Sequence, residues 1–180
     1  RSTQAKTLFP YTTLFRSRLL EGYGPSGEAL VRLGQEGSSL IVTVDCGAMA
    51  FEALEMAHTA GIDVIVVDHH KCAPELPKAM ALVNPNRLDE DDLAAAHGHL
   101  AAVGVAFLLA VATVRVLRQR SFFADRPEPD LFSLLDLVAL GTVAATVLGV
   151  AVGVLLAGVA VGAGTAVVFR FVLRTIITRK

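Results

Sequence analysis

The clearest structural signal in the chain is IDVIVVDHH, at residues 62–70. Its first six residues are mostly apolar and β-branched, which is typical of a strand buried on both faces of a parallel sheet. The run closes on Asp68, His69 and His70, at the point where such a strand ends. In open parallel sheets this edge is where ligands bind. A carboxylate beside two imidazoles suits a divalent ion such as manganese or zinc, and the second histidine can meet a substrate anion.

A second stretch upstream has the same pattern. LIVTVDCG, at residues 40–47, is a β-rich run that closes on Asp45, and its final glycine allows a tight turn. Residues 51–60 between the two runs are rich in helix formers, and Gly61 follows as a typical helix stop. A strand-helix-strand crossover makes the two strands parallel. Asp45 and Asp68 are therefore predicted to emerge at the same edge of the sheet, within reach of one ion or ion pair.

The following segments continue an α/β pattern. The further predicted elements are a helix at 28–34 capped by Ser26, a short strand at 80–83, a core helix at 100–117 and a helix at 131–140. The apolar part of the helix at 100–117 is short for a span across a bilayer, so this helix is predicted to be buried in the protein. The predicted fold is a parallel sheet with flanking helices, followed by an apolar C-terminal helix of doubtful origin.

Several polar residues follow the histidine pair. Lys71 and Arg87 are candidate contacts for a nucleic-acid phosphate, and the alternative for each is an ordinary surface charge. Residues 89–92 are acidic, which favours the first turn of a helix over a metal site. His97 and His99 have a spacing that some metal sites use, but no carboxylate or cysteine pattern supports them.

The motifs around these strands closely resemble those of the DHH phosphoesterases, and among them the bacterial exonucleases that degrade single-stranded DNA from 5′ to 3′. The matching segments are EGYGP at 21–25, TVDCG at 43–47, VDHH at 67–70, ALVNPNR at 81–87, GVAF at 104–107 and LDLVALGTVA at 135–144. The resemblance covers residues 18–144. It implies an α/β DHH domain, hydrolysis of phosphodiester bonds in single-stranded DNA, and DNA-repair proteins as possible partners.

The resemblance also implies roles for individual residues. Asp45 would bridge two manganese ions, with magnesium as the alternative metal, and His69 would ligate one of them. His70 would act as a catalytic group that contacts the scissile phosphate. Asp68 would either orient the neighbouring imidazole or complete the metal shell. Two such metals promote in-line attack on the phosphoryl group.

Two departures from the family pattern concern metal ligands. The first motif, an Asp-x-Asp pair, is absent before Glu21, and position 145 is alanine where the last motif has aspartate. By that pattern only Asp45 and His69 remain among the metal ligands. Because a two-metal site needs the full set, this polypeptide alone is predicted to be an incomplete, inactive DHH domain.

The two ends of the chain differ in character from the middle. Residues 7–17 match the translation of a common sequencing adapter, so residues 1–17 are predicted to be non-native and outside the fold. Residues 137–169 carry no charged side chain, which exceeds the about 20 residues that cross a bilayer. The apolar tail at 145–180 is interpreted as a chimeric or frameshifted join, and a transmembrane helix is the alternative.

Composition constrains the function further. The chain has 180 residues, of which 53% are hydrophobic and 18% charged, and its net charge is −1. This charge argues against strong nonspecific DNA affinity from this segment. Cys46 and Cys72 form no CxxC pair, which fits reduced thiols in a cytoplasmic protein.

The resemblance thus implies part of a metal-dependent exonuclease that acts on single-stranded DNA. Two alternatives remain open. The first is a DHH phosphoesterase for small substrates, such as oligonucleotides, nucleotide phosphates or pyrophosphate. The second is a membrane-anchored, non-catalytic DHH homologue, whose partner would be the membrane itself.

Overall fold

The computed structural model describes residues 24–89 and 96–151, with side chains as far as residue 145. In these ranges three short parallel strands form one sheet, in the order β1-β2-β3, with helices on both faces. The strands are β1 (Leu40–Val44), β2 (Asp63–Val67) and β3 (Ala81–Val83). The helices are α1 (Gly27–Gln35), α2 (Phe51–Thr59), α3 (Ala102–Gln119) and α4 (Leu135–Ala151), with a 3₁₀ turn at Phe132–Leu134 before α4. The predicted α/β class is confirmed.

The register of the sheet brings the carboxyl ends of its strands together. Val44, the last residue of β1, pairs with Val67, the last residue of β2. Val67 in turn pairs with Val83, the last residue of β3. All three strands therefore end level with one another, and the residues that follow them share one edge.

The two faces of β2 pack against different helices, as the alternation of side chains along a strand requires. Val64 and Val66 lie in a core that includes Leu30 of α1 and Leu54 of α2. Ile65 and Val67 lie on the opposite face, against α3. Leu54 and Val66 are fully buried, and burial of such side chains contributes about 1.5–3 kcal/mol each. Helices thus pack on both faces of the sheet.

Helix α1 is capped by Ser26, as the sequence predicted. Ser26 is its N-cap, and the Ser26 side chain accepts a hydrogen bond from the Ala29 amide at 3.2 Å. Gly27 allows α1 to approach α2 closely, since a Cβ there would lie 2.3 Å from the sulfur of Met56. The predicted helix at 28–34 is confirmed, with one additional residue at each end.

Helix α3 is a core helix, as predicted. It is long and apolar enough to cross a membrane by length and composition alone. However, Val103 and Ala106 are fully buried, and Ala106 packs against the sheet. The helix begins at residue 102 instead of 100, because Ala101 adopts an extended conformation and serves as the N-cap.

Helix α4 packs on α3 through a small residue. A Cβ at Gly141 would lie 2.9 Å from Val103, so the two helices are in close contact there. Ala145 packs at the edge of the same apolar cluster. Residues 121–130, between α3 and the 3₁₀ turn, form a loop of turns and bends. Three predictions fall outside the described residues. They concern the non-native segment at 1–17, most of the tail at 145–180, and the start of a helix after residues 89–92.

Candidate metal and phosphate site

The candidate site lies at the shared carboxyl edge of β1 and β2. Asp45 follows β1, and its amide still bonds to the carbonyl of Val67 at 2.9 Å. Asp68 follows β2, and its amide bonds to the carbonyl of Val83 at 3.0 Å. The sheet ladder therefore continues one residue past each strand, which fixes both aspartates relative to each other. The crossover brings them to one edge, as the sequence predicted.

The chain turns sharply after β1. Asp45 has a φ of 63°, a left-handed conformation that is uncommon outside glycine. Gly47 follows with a φ of 115°, and a Cβ there would lie 2.9 Å from the Thr43 hydroxyl and 3.1 Å from Val66. Strained backbone of this kind persists where surrounding structure holds it in place. Here it turns the Asp45 carboxylate toward the residues after β2.

His69 is held by both of its ring nitrogens. Its Nε2 lies 3.3 Å from Oδ1 of Asp45, and its Nδ1 lies 3.0 Å from the carbonyl oxygen of Leu100. A carbonyl oxygen only accepts hydrogen bonds, so Nδ1 carries a proton. Nε2 is the ring nitrogen that faces the Asp45 carboxylate. A carbonyl that fixes the tautomer in this way is the common arrangement behind metal-binding histidines.

Asp68 lies beneath this pair and is 1% exposed. Its Oδ2 accepts a hydrogen bond from the Ala48 amide at 2.9 Å. Its Oδ1 accepts from the His69 amide at 2.8 Å, from the His70 amide at 3.3 Å and from Nδ1 of His70 at 2.6 Å. Both oxygens are thus engaged within the protein. Of the two roles that the family resemblance implies for Asp68, these contacts fit the one of orienting the imidazole.

Asp68 and His70 shift each other's protonation. Burial, the largest influence, raises the pKa of Asp68, but hydrogen bonds from His70 and from the amides of Ala48 and His69 outweigh it, so the pKa lies below its usual range. The hydrogen bond to Asp68 raises the pKa of His70 above its ordinary value, although partial burial opposes this. The pair therefore favours an aspartate anion beside a protonated imidazole.

The side chains that converge at the surface are Asp45, His69 and His70. One ligand atom from each lies within 4.8 Å of the other two, and the two imidazole rings are 4.6 Å apart. This group differs from the predicted metal set of Asp45, His69 and Asp68, since His70 is present and Asp68 lies below. A carboxylate oxygen with imidazole nitrogens is a donor set that suits manganese, zinc or iron. The residues present therefore fit a divalent metal.

The two predicted nucleic-acid contacts have different surroundings. Lys71 is exposed and directly follows His70. Arg87 donates from Nε and Nη2 to the carboxylate of Asp89, at 2.9 and 2.6 Å, and from Nη1 to the carbonyl of Leu82 at 3.0 Å. Its guanidinium is engaged in its own turn, so the phosphate contact remains a prediction for both residues.

Sequence reasoning missed the groups that support the site from beneath. The amide of Ala48, the carbonyl of Leu100 and the side chains of Asn84 and Asn86 all contact the residues after β2. The position of Asn84-Pro85-Asn86 just after β3 was the available signal, because a third parallel strand must end at the same edge.

Comparison with known proteins adds the family. Residues 4–142 match the DHH family, N-terminal domain, a range that includes most of the segment predicted to be non-native. The single-stranded-DNA-specific exonuclease RecJ of Dickeya dadantii is 46% identical over 133 residues, which are 73% of this chain and 23% of that protein. The RecJ of Escherichia coli K12 is 44% identical over 133 residues, with 73% and 22% covered. The RecJ of Bacillus subtilis is 41% identical over 127 residues, with 71% and 14% covered.

The chain spans less than a quarter of the length of these relatives. The match to the family, by contrast, covers well over half of the chain and includes every residue of the cluster. The chain therefore belongs to the DHH family.

Proposed function

We propose that this chain is part of a divalent-metal-dependent exonuclease that hydrolyses single-stranded DNA from its 5′ end. The observation that carries the proposal is the convergence of Asp45, His69 and His70 at one sheet edge in a member of the DHH family. The substrate class rests on relatives that are named single-stranded-DNA-specific exonucleases. The reaction is hydrolysis of a phosphodiester bond.

Asp45 and His69 are the residues that would hold the metal, because His69 Nε2 lies 3.3 Å from the Asp45 carboxylate while Leu100 holds the other ring nitrogen. Manganese is the proposed ion and magnesium the alternative, with two ions in the complete protein. A bound divalent metal supplies a nucleophile from water at neutral pH and stabilises the charge that develops on phosphoryl oxygens.

His70 is proposed to bind the scissile phosphate. Its side chain is 46% exposed, whereas that of Asp68 beneath it is 2% exposed. Asp68 holds the proton on Nδ1 of His70, which leaves Nε2 as the nitrogen that can donate to a phosphate oxygen. A protonated imidazole makes a charge-assisted hydrogen bond to phosphate, about twice as strong as a neutral one. The proposed role of Asp68 is thus to orient His70 and keep it protonated, without contacting the phosphate itself.

The proposal extends to partners and location. Lys71 is exposed beside the cluster and is a proposed contact for the DNA backbone. Arg87 would have to leave Asp89 to make such a contact. DNA-repair proteins are proposed partners of the complete protein. A cytoplasmic location is also proposed, because Cys46 and Cys72 form no CxxC pair in the sequence.

The 180-residue chain alone is proposed to be inactive. The family pattern has an aspartate at position 145, whereas Ala145 packs against the apolar interface between α3 and α4. The site described at the sheet edge supplies one carboxylate and two imidazoles, which is few for two metal ions. Turnover of single-stranded DNA by this chain, above that of a His69→Ala chain, would contradict this part of the proposal.

The experiment that tests the function uses the complete gene product. Release of mononucleotides is measured from single strands labelled at either end, with manganese and after chelation. We expect manganese-dependent release from the 5′ end. His69→Ala should reduce it by more than the about 10–100-fold typical of losing an outer-shell partner. His58→Ala is the matched control, since His58 is an exposed histidine at the end of α2.

Two results would redirect the proposal. Preference for dinucleotides or nucleotide phosphates over long single strands would favour a phosphoesterase for small substrates. Equal activity of the His69→Ala and His58→Ala proteins would show that the cluster is not the active site.

A further inference from the structure

We propose that Asn84 and Asn86, in the turn after β3, are positioning residues that fix the main chain of His69 and His70 and the direction of the His69 imidazole. This inference rests on the proposed function, because it gives the two asparagines a role in the metal and phosphate site. Neither asparagine belongs to the cluster of ligand atoms. Each acts through backbone groups of the histidines.

Asn84 uses its whole amide group inside the protein. It is 4% exposed, and its Nδ2 donates to the carbonyl of His70 at 2.8 Å and to the sulfur of Cys72 at 3.2 Å. Its Oδ1 accepts a hydrogen bond from the Asn86 amide at 2.8 Å. The contact with His70 spans 14 residues of chain. Asn84 therefore joins the end of β3 to the segment that carries the histidine pair.

Asn86 makes a second link to the same segment. Its Nδ2 donates to the carbonyl of His69 at 2.6 Å and to the carbonyl of Gly98 at 3.0 Å. Gly98 lies in the turn before α3, two residues from Leu100, whose carbonyl faces Nδ1 of His69. Asn86 is thus the bridge between the main chain of His69 and the segment that orients the ring of His69.

These hydrogen bonds link the main chain of His69 to the segment that binds its ring. The carbonyl of His69 is held by Asn86, Asn86 also holds Gly98, and the nearby carbonyl of Leu100 holds the imidazole. Removal of the Asn86 amide would free the 97–100 segment to move relative to His69. The Nδ1 proton would then lose its fixed acceptor, and Nε2 would no longer be held toward Asp45. Losing a partner of this kind typically costs about 10–100-fold in metal affinity.

The alternative is that the hydrogen bonds of the two asparagines only stabilise the fold of the turn. The same turn contains such a contact, the ion pair between Arg87 and Asp89. Asp89→Asn weakens this pair and leaves the asparagines unchanged. It is therefore a matched control for Asn86→Ala.

The test uses the 180-residue chain and two readouts. The first is the nitrogen-15 NMR spectrum of the imidazoles without metal, which reports which ring nitrogen of His69 carries the proton. The second is manganese affinity by titration. We expect Asn86→Ala to lose the Nδ1-protonated form of His69 and to bind manganese about 10–100-fold more weakly. Asp89→Asn should match the unsubstituted chain in both readouts.

The outcomes separate the inference from the proposed function. An unchanged His69 tautomer in a folded Asn86→Ala chain would overturn the positioning role, whatever the metal affinity. If the unsubstituted chain binds manganese no better than a His69→Ala chain, the proposed metal role fails. The nitrogen-15 spectrum of His69 in the Asn86→Ala chain then still tests the positioning role. If Asn86→Ala does not fold, the unsubstituted chain provides the test through its side-chain amide protons. Nuclear Overhauser contacts from Asn86 to His69 and Gly98 are expected, and their absence would overturn the inference.

Discussion

Substitution of Asp68 by asparagine should destabilise the metal-free chain by about 1.5–3 kcal/mol. The Asp68 carboxylate is 1% exposed, and it accepts from the Ala48 amide on one oxygen and from His69 and His70 on the other. Asparagine keeps one oxygen and replaces the other by an NH₂ group, which cannot accept. If the NH₂ faces Ala48, that buried amide loses its acceptor; if it faces the histidines, their amides do. The minimum loss is one hydrogen bond to a charged group, which corresponds to the magnitude given.

Urea unfolding of the 180-residue chain with a chelator present, followed by circular dichroism, measures this loss. Asp63→Asn is the matched control, because Asp63 is an exposed aspartate at the other end of β2. It should change stability by no more than about 0.5 kcal/mol. A loss of less than about 0.5 kcal/mol for Asp68→Asn, the size expected of a surface substitution, would refute the buried hydrogen-bond network. If manganese affinity also fell while stability did not, Asp68 would be a metal ligand instead.

Two further predictions concern pH and the turn after β1. The pKa of His70 is raised above 6.5 and that of Asp68 lowered below 3.8, so the pair stabilises the metal-free fold between these values. Stability should fall as the pH rises past the raised pKa of His70 and as it drops past the lowered pKa of Asp68; a His70→Gln chain that keeps the alkaline loss in urea titrations would contradict this. Gly47→Ala should cost about 2–6 kcal/mol in thermal unfolding, since it combines backbone strain with a close contact. Gly61→Ala, with a φ of 72° and nothing within 4 Å of its Cβ, should cost only about 1–2 kcal/mol, and equal losses would argue against the contact.

The sheet and the position of the site could be predicted from the sequence. The β-rich runs at 40–44 and 63–67 are separated by a helix, and such a crossover forces parallel strands with a common carboxyl edge. This topology alone brings Asp45 close to the residues after β2. The order of the elements is therefore sufficient to predict most of the fold and the location of the cluster.

The division of roles within Asp68, His69 and His70 could not be predicted from the residues alone. Asp68 continues the alternation of Val64 and Val66, so its side chain turns inward and meets the Ala48 amide. Whether a carboxylate past the end of a strand points inward or outward depends on the turn above it. That turn is set by the positive φ of Asp45, which the alternation of the strand does not indicate.

The contacts of the turn after β3 also lay beyond sequence reasoning. Arg87 pairs with Asp89 two residues later, a local interaction that competes with any role at the site. Asn84 and Asn86 contact groups 12 to 17 residues away, and such long-range hydrogen bonds leave no periodic signal. The short strand that precedes this turn was predicted, but the partners of the turn's side chains were not.

Manganese binding by the 180-residue chain tests the central claim most directly, namely that Asp45 and His69 hold a divalent metal at the carboxyl edge of the sheet. The unsubstituted chain is compared by titration with Asp45→Asn, His69→Ala and the control His58→Ala. Asparagine suits position 45, because it tolerates the left-handed backbone there while removing the charge. We expect the unsubstituted and His58→Ala chains to bind alike, and the other two to bind at least about 10-fold more weakly. Equal affinity in all four chains, or no binding by any, would contradict the account.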